Sequence, residues 1–193
     1  MIRLAIFASG HGSNAQAIMK YFANHNKILI SGVFTNNPKA GVIARCKSEN
    51  IECVVFDNGD LVNGKLCEKL LSKGINGIVL AGFLRKIPYH MLQNFPNKIL
   101  NIHPSLLPKY GGKGMYGDFV HRAVLENKEK KTGITIHLVN ENYDEGKFLH
   151  QSEVNLESHD TIESVRKKVA TLELADYSKV VEAYFLSQNI WPE

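Results

Sequence analysis

The sequence predicts an α/β fold: a mostly parallel, twisted sheet with helices on both faces, an antiparallel C-terminal extension and a long C-terminal helix. Three observations carry this. Short apolar runs alternate with helix-forming segments through the first hundred residues, the pattern of a parallel sheet with right-handed crossovers. The first run, Ile2 to Ala8, is almost continuously apolar, as a strand covered on both faces must be. Beyond residue 130 two strand-like segments follow each other, and then comes one extended helical period. At 193 residues the chain reads as one domain, 1–193, large enough to bury a core without staples.

In order, Ile2 to Ala8 breaks into Ser9-Gly10-His11-Gly12-Ser13-Asn14, and Ala15 to Met19 has helix-forming composition. A strand, a glycine-rich turn and a helix can bind an anion, because the helix start offers free N–H groups and a positive dipole end. The spacing meets neither the dinucleotide glycine pattern nor the P-loop, so a monophosphate is the anion expected. A plain tight turn, with Ser13 or Asn14 as helix cap, accounts for the same residues equally well. Ile28 to Thr35 is a second strand closed by Asn36-Asn37-Pro38, Gly41 to Asn50 a helix, and Ile51 to Phe56 a third strand. Asp57 to Asp60 reads as a turn, and Leu61 to Ser72 as one helix with apolar residues at 61, 66, 70 and 71. Gly77 to Ala81 is the fourth strand, Gly82 to Ile87 its loop, and Pro88 to Phe95 a short helix.

The fifth strand, Ile99 to Ile102, ends in His103 and is stopped by Pro104, which removes a ladder donor and favours extended geometry before it. Asn101 and His103 therefore share one face, at the strand edge where open α/β sheets place their chemistry. Taken alone, the same residues are better read as a strand end whose polar groups satisfy local backbone. After a glycine-rich loop, Asp118 to Asn127 is a helix, and Gly133 to Val139 alternates with Ile134, Ile136 and Leu138 on one face. His137 shares the other face with Thr135 and Val139 and reads as a supporting residue. Asn140 to Gly146 is a polar turn, and Lys147 to Leu156 returns as a strand. Asp160-Thr161-Ile162-Glu163 resembles a capping box with Asp as the cap. It opens a helix with Ile162, Val165, Val169 and Leu172 at helical spacing, running to about Leu186, with Glu173 solvated unless the helix meets a site.

Hydrophobic and charged contents of 44% and 22% are ordinary for a globular chain, and the net charge of +4 suits an anionic small substrate. Lys and Arg are scattered rather than striped, so nucleic acid is not indicated. Cys46, Cys53 and Cys67 have no metal-ligand spacing and are odd in number, which reads as reduced thiols in a cytoplasmic protein. No stretch approaches a membrane span.

Gly10-His11-Gly12-Ser13-Asn14, Leu80 to Arg85, Asn101 to Pro108 and Asp144-Glu145-Gly146 together resemble the glycinamide ribonucleotide formyltransferases, folate-dependent enzymes of purine synthesis. The resemblance covers essentially the whole chain. His103-Pro104-Ser105-Leu106-Leu107-Pro108 is shared by folate formyltransferases at large, and the first turn picks this group. The resemblance implies a Rossmann-like sheet, 10-formyltetrahydrofolate as co-substrate, the amine of 5'-phosphoribosylglycinamide as acceptor, and no metal. It implies Asn101, His103 and Asp144 as catalytic residues; His137 is expected behind them, and the protein is expected to be a monomer or homodimer. Gly12, Ser13 and Asn14 would take the phosphate and Glu173 the ribonucleotide, with Ala170 to Leu172 adjoining. Leu84, Arg85, Lys86 and Ile87 would line the pterin pocket. Asn140, Glu141, Asn142 and Tyr143 would close it, with Asp144 and Asn101 at the reacting end. On this division residues 1–100 form a phosphate-binding half and 101–193 a catalytic and folate-binding half.

The chemistry suits these residue types. An amine attacking a formyl carbon puts negative charge on oxygen, and Asn101 and a protonated His103 would stabilise it, about 3–4 kcal/mol for one such donor. A carboxylate at Asp144 favours the charged imidazole. One departure stands out: where some relatives carry an arginine toward the folate tail, this chain reads Asp57-Asn58-Gly59-Asp60. Gly111 to Gly117 is longer than in the shortest relatives and could form a lid. A related hydrolase has an extra N-terminal domain, for which a sheet starting at Ile2 leaves no room. A related transferase acting on tRNA has a C-terminal RNA-binding domain, whereas this chain ends at Glu193. A non-catalytic phosphate-binding module would need only the first turn.

Overall fold

In the computed structural model, which describes residues 1–187, the apolar runs become strands β1 (Ile2–Phe7), β2 (Ile28–Thr35), β3 (Cys53–Val55), β4 (Gly77–Leu80) and β5 (Ile99–His103). β6 (Lys131–Leu138) and β7 (Phe148–Asn155) follow. Glu193 lies outside the described residues. The strands form one sheet in the order β3-β2-β1-β4-β5-β6-β7, with β1 to β5 parallel and β6 and β7 antiparallel. The helices are α1 (Ser13–Phe22), α2 (Val42–Ser48), α3 (Asn58–Val62), α4 (Lys65–Ser72), α5 (Tyr89–Asn94), α6 (Asp118–Glu126) and α7 (Ile162–Ser187).

Period-two alternation divides the strands between two cores. Leu4, Ile6, Leu100 and Ile102 pack with Ile18 of α1, Val42 of α2 and Phe185 of α7. Phe7, Ile78 and Ile99 pack on the opposite face with Leu66 and Leu70 of α4 and Met91 of α5. The continuous apolar character of β1 is thus explained by helices on both sides.

Four local expectations are corrected. Gly12, at φ 81, is the residue before α1, and no side chain caps that helix, so Ser13 and Asn14 lie inside α1 rather than capping it. Gly64, at φ 93, breaks the segment Leu61 to Ser72 into α3 and α4. Asp57 caps α3 by accepting from the Gly59 N–H, so Asp57 to Asp60 is a helix start and not a free turn. At α7 the reciprocal box is one residue later than expected: Thr161 N–H donates to Ser164 Oγ (2.9 Å) and Ser164 N–H to Thr161 Oγ1 (3.2 Å). Asp160 instead accepts from Ser164 Oγ and Lys168 Nζ, both at 2.6 Å, and Glu163 pairs with Lys167.

The strand order reverses between β1 and β4, which opens a crevice at their C-terminal ends. Ser9 ties the two loops there: its N–H donates to Gly82 O (3.0 Å) and its Oγ accepts from Leu84 N–H (3.1 Å). Tyr177 of α7 is fully buried and donates its hydroxyl to Leu80 O (2.8 Å), pinning α7 across the ends of β4 and β5. Glu173, one turn earlier, is thereby brought to the crevice.

Candidate active site

A cavity of about 800 Å³ lies over the C-terminal ends of β1, β4 and β5. Strand alternation leaves Leu100 and Ile102 in the core and turns Asn101 and His103 toward the cavity, as the sequence predicts. The turn after β5 is fixed by Thr135 of β6. Its Oγ1 donates to Ser105 O (2.7 Å) and accepts from Leu107 N–H (3.0 Å) and Gln151 Nε2 (2.8 Å). Gln151 Nε2 also donates to Leu107 O at 3.0 Å, and the Leu107–Pro108 bond is cis.

Asp144 arrives from the β6–β7 turn. Gly146 closes that turn because a Cβ there would lie 1.8 Å from Leu138 O. Asp144 Oδ2 accepts from Gly112 N–H (2.9 Å) and stands 3.5 Å from His103 Nδ1, while Oδ1 is 3.6 Å from His137 Nε2. The other His103 nitrogen, Nε2, donates to Tyr110 O at 2.7 Å. His137 Nδ1 donates to Leu138 O (2.8 Å), so its Nε2 accepts from Asn101 Nδ2 at 3.1 Å. The Asn101 amide is thereby oriented, with one N–H on His137 and the second free for a ligand.

Burial pushes the His103 imidazole below its ordinary pKa, although Asp144 and the Tyr110 carbonyl pull the other way. His103 is only 3% exposed. The expectation of a protonated resting His103 is therefore corrected: desolvation outweighs the carboxylate, and the ring rests neutral with its proton on Nε2. Burial alone would raise the Asp144 carboxyl. The His137 contact, the nearby His103 and the Gly112 N–H outweigh it and hold the group below its usual range.

At the glycine-rich turn after β1, Ser13 and Asn14 line the cavity, but Gly12 does not. A Cβ at Gly12 would meet Val42 of α2 at 2.6 Å, so this glycine serves the docking of α1 on α2. Asn14 Nδ2 donates to Glu173 Oε2 (2.9 Å). Glu173 is thus a wall of the cavity rather than a solvated residue; burial raises its carboxyl, and the Asn14 bond partly opposes this. Leu84 to Ile87 form one further wall, and Asn140, Asn142 and Tyr143 the facing one, with Lys86 Nζ 5.8 Å from the centre of the Tyr143 ring. Glu141 does not line the cavity: Asn140 Oδ1 accepts from Asn142 N–H (3.0 Å), and the resulting tight turn leaves Glu141 exposed at its tip. Asp57 to Asp60 take no part in the walls either. The loop from Gly112 to Gly117 forms an edge of the cavity.

Sequence reasoning missed His11, Asp118, His121 and Arg166, all of which line the cavity. Arg166, Ala170 and Glu173 stand at i, i+4 and i+7, a helical face that becomes readable once Glu173 is taken as a site residue.

A mostly parallel sheet with a switch-point crevice, an amide and an imidazole on one strand end and a carboxylate beside them fit a group-transferring α/β enzyme. Residues 2–181 match the family model described as Formyl transferase, and the chain belongs to that family. It is 39% identical over 201 residues to the chloroplastic phosphoribosylglycinamide formyltransferase of Arabidopsis thaliana, covering 99% of this chain and 68% of that one. It is 32% identical to the phosphoribosylglycinamide formyltransferase of Bacillus subtilis over 94% of each chain. The solved structure of glycinamide ribonucleotide transformylase 1 from Symbiobacterium toebii superposes with a TM-score of 0.89 at 29% identity, covering 100% of this chain and 91% of that one. Among the described residues no helix is long and apolar enough to cross a membrane.

Proposed function

We propose that the protein transfers the formyl group of 10-formyltetrahydrofolate to the glycinamide amine of 5'-phosphoribosylglycinamide, giving the N-formyl product and tetrahydrofolate in purine synthesis. The observation that carries this is the joining of Asn101 and His103 at the end of β5 with Asp144, inside a cavity that also holds Ser13 and Asn14. A module that only bound phosphate would have no use for the first three.

The amine attacks the formyl carbon, a C–N bond forms, and charge moves to the formyl oxygen. The free N–H of Asn101 stabilises that oxyanion. His103 Nδ1, which carries no proton at rest, takes up the proton shed by the amine. The imidazolium so formed has acceptors on both nitrogens, Tyr110 O and Asp144 Oδ2. When the folate C–N bond breaks, the proton is returned to the folate nitrogen, directly or through a water. The remaining rate enhancement is positioning of two bound substrates. Ser13 and Asn14 receive the phosphate, Glu173 accepts from the ribose, and the two facing walls hold the pterin. Gly112 to Gly117 supplies the lid.

Absorbance of the released tetrahydrofolate, followed with and without the ribonucleotide, tests the reading. Release only when the ribonucleotide is present is expected, and release without it would identify a hydrolase. His103→Asn should abolish turnover while ribonucleotide binding persists.

A further inference from the structure

A phosphate dianion at Ser13 and Asn14 would meet neutral donors and, through the Asn14 bond, the acid Glu173. The turn itself brings no cation. Among the described residues four Lys or Arg line the cavity: Arg85, Lys86, Lys113 and Arg166. Arg85 and Lys86 belong to the wall after β4, where Lys86 lies over Tyr143. Lys113 belongs to the Gly112 to Gly117 loop at the cavity's edge, next to Gly112, whose N–H is on Asp144. Arg45 lies near the turn, but its guanidinium is engaged by His11 and Gln16 and does not line the cavity.

Arg166 remains. On an α-helix, positions 166, 170 and 173 fall within roughly 60° of one another and span about 10 Å. The cavity-lining residues between are Val169 and Ala170, so no polar side chain separates Arg166 from the Glu173–Asn14 pair along that face. Arg166 is held by Asp118 in a two-point pair, Nε to Oδ1 at 2.9 Å and Nη2 to Oδ2 at 2.5 Å. The two side chains are 52% and 50% exposed, so this pair is weak and exchangeable. A guanidinium fork fits a phosphate as well as a carboxylate. A second observation marks the same corner. His121 is 3% exposed and lines the cavity, and its Nδ1 has no hydrogen-bond partner among the described residues. A buried polar atom left open in this way is one that a bound polar ligand satisfies.

We infer that Arg166 exchanges Asp118 for the phosphate of the ribonucleotide, completing the phosphate site begun by Ser13 and Asn14; this rests on the proposed acceptor. Arg166 then confers selectivity for the phosphorylated acceptor and makes no contact with the folate.

Steady-state kinetics with 5'-phosphoribosylglycinamide and with its dephosphorylated ribosyl counterpart test this in the wild type, Arg166→Ala and Arg166→Lys. Arg166→Ala should raise KM for the phosphorylated acceptor about ten- to a hundredfold, with a much smaller change in kcat and none in KM for the folate. That penalty should vanish with the dephosphorylated acceptor, and Arg166→Lys should recover part of it. Equal losses with both acceptors would show a merely structural role and overturn the inference, as would no loss with either. A wild type without ribonucleotide-dependent transfer would strike the proposed function instead. Arg166 is then still testable with inorganic phosphate, whose stabilisation of the wild type in a thermal melt should be lost in Arg166→Ala.

Discussion

His103 stands between opposing influences, and burial prevails. Its ring nitrogens face the Tyr110 carbonyl and the Asp144 carboxylate, yet desolvation leaves it neutral. A base at rest that becomes a stabilised acid during turnover needs this balance, because a pre-protonated ring could not accept the proton of the attacking amine. An NMR titration of the His103 ring should give a midpoint below the ordinary value of about 6.5. Asp144 raises the ring, so Asp144→Asn should move the midpoint lower still, and the acid limb of kcat/KM should move with it while kcat falls. A midpoint above 6.5 in the wild type would return His103 to the role of a pre-charged donor. The pairing of Asn101 with His103 was legible because period two decides it locally. The protonation state was not, since it depends on how deeply Tyr110, Gly112 and Asp144 enclose the ring. Asn101's orientation was hidden for the same reason: it is set by the tautomer of His137, which is fixed by Leu138 O.

Elements that only support the site decide how well it is held. Thr135 is buried on β6, and its hydroxyl serves Ser105, Leu107 and Gln151 at once. Thr135→Val keeps the shape but leaves the buried Leu107 N–H without a partner. The expected cost is about 1–3 kcal/mol of stability, measured by urea unfolding. A fall in kcat at nearly unchanged KM should accompany it, because the turn carrying His103 loosens while the binding walls stay. Unchanged unfolding midpoint and kcat together would mean that Gln151 alone holds the turn. Strand identities and the two-faced cover of β1 were readable from apolar patterning. The division of α3 from α4 at Gly64 was not: the apolar spacing on either side of the break is continuous, and a lone glycine in a helical pattern signals a stop only weakly. The shift of the α7 box from Asp160 to Thr161 has a similar origin. Lys168, two turns on, draws Asp160 into an ion pair, and sequence adjacency does not show that partner.

At the scale of the whole molecule, a cavity built over a switch point brings titratable groups into low-dielectric surroundings, and stability inherits their pH dependence. His103 and His121 are both held below their ordinary pKa by burial. Their folded values lie below their unfolded ones, so the unfolded chain takes up protons first as pH falls through about 6.5. The stability they contribute is complete above that pH and is lost as pH falls toward the folded values. Glu173 has the opposite sign. Its carboxyl is raised by burial, so its contribution is complete below the unfolded value of about 4.3 and is lost as pH rises through the folded one. At neutral pH its charge is therefore a net cost, relieved only by Asn14. The Tm of the unliganded protein should fall between pH 7 and pH 5. His121→Gln should flatten that fall, since an amide can occupy the site without titrating. Glu173→Gln should raise Tm at pH 7 and steepen the fall, because the compensating gain on acidification is removed. Scanning calorimetry of the three proteins from pH 5 to 8 separates the contributions. If the His121 variant keeps the full wild-type slope, the acid sensitivity belongs to His103, and the open Nδ1 of His121 serves binding alone.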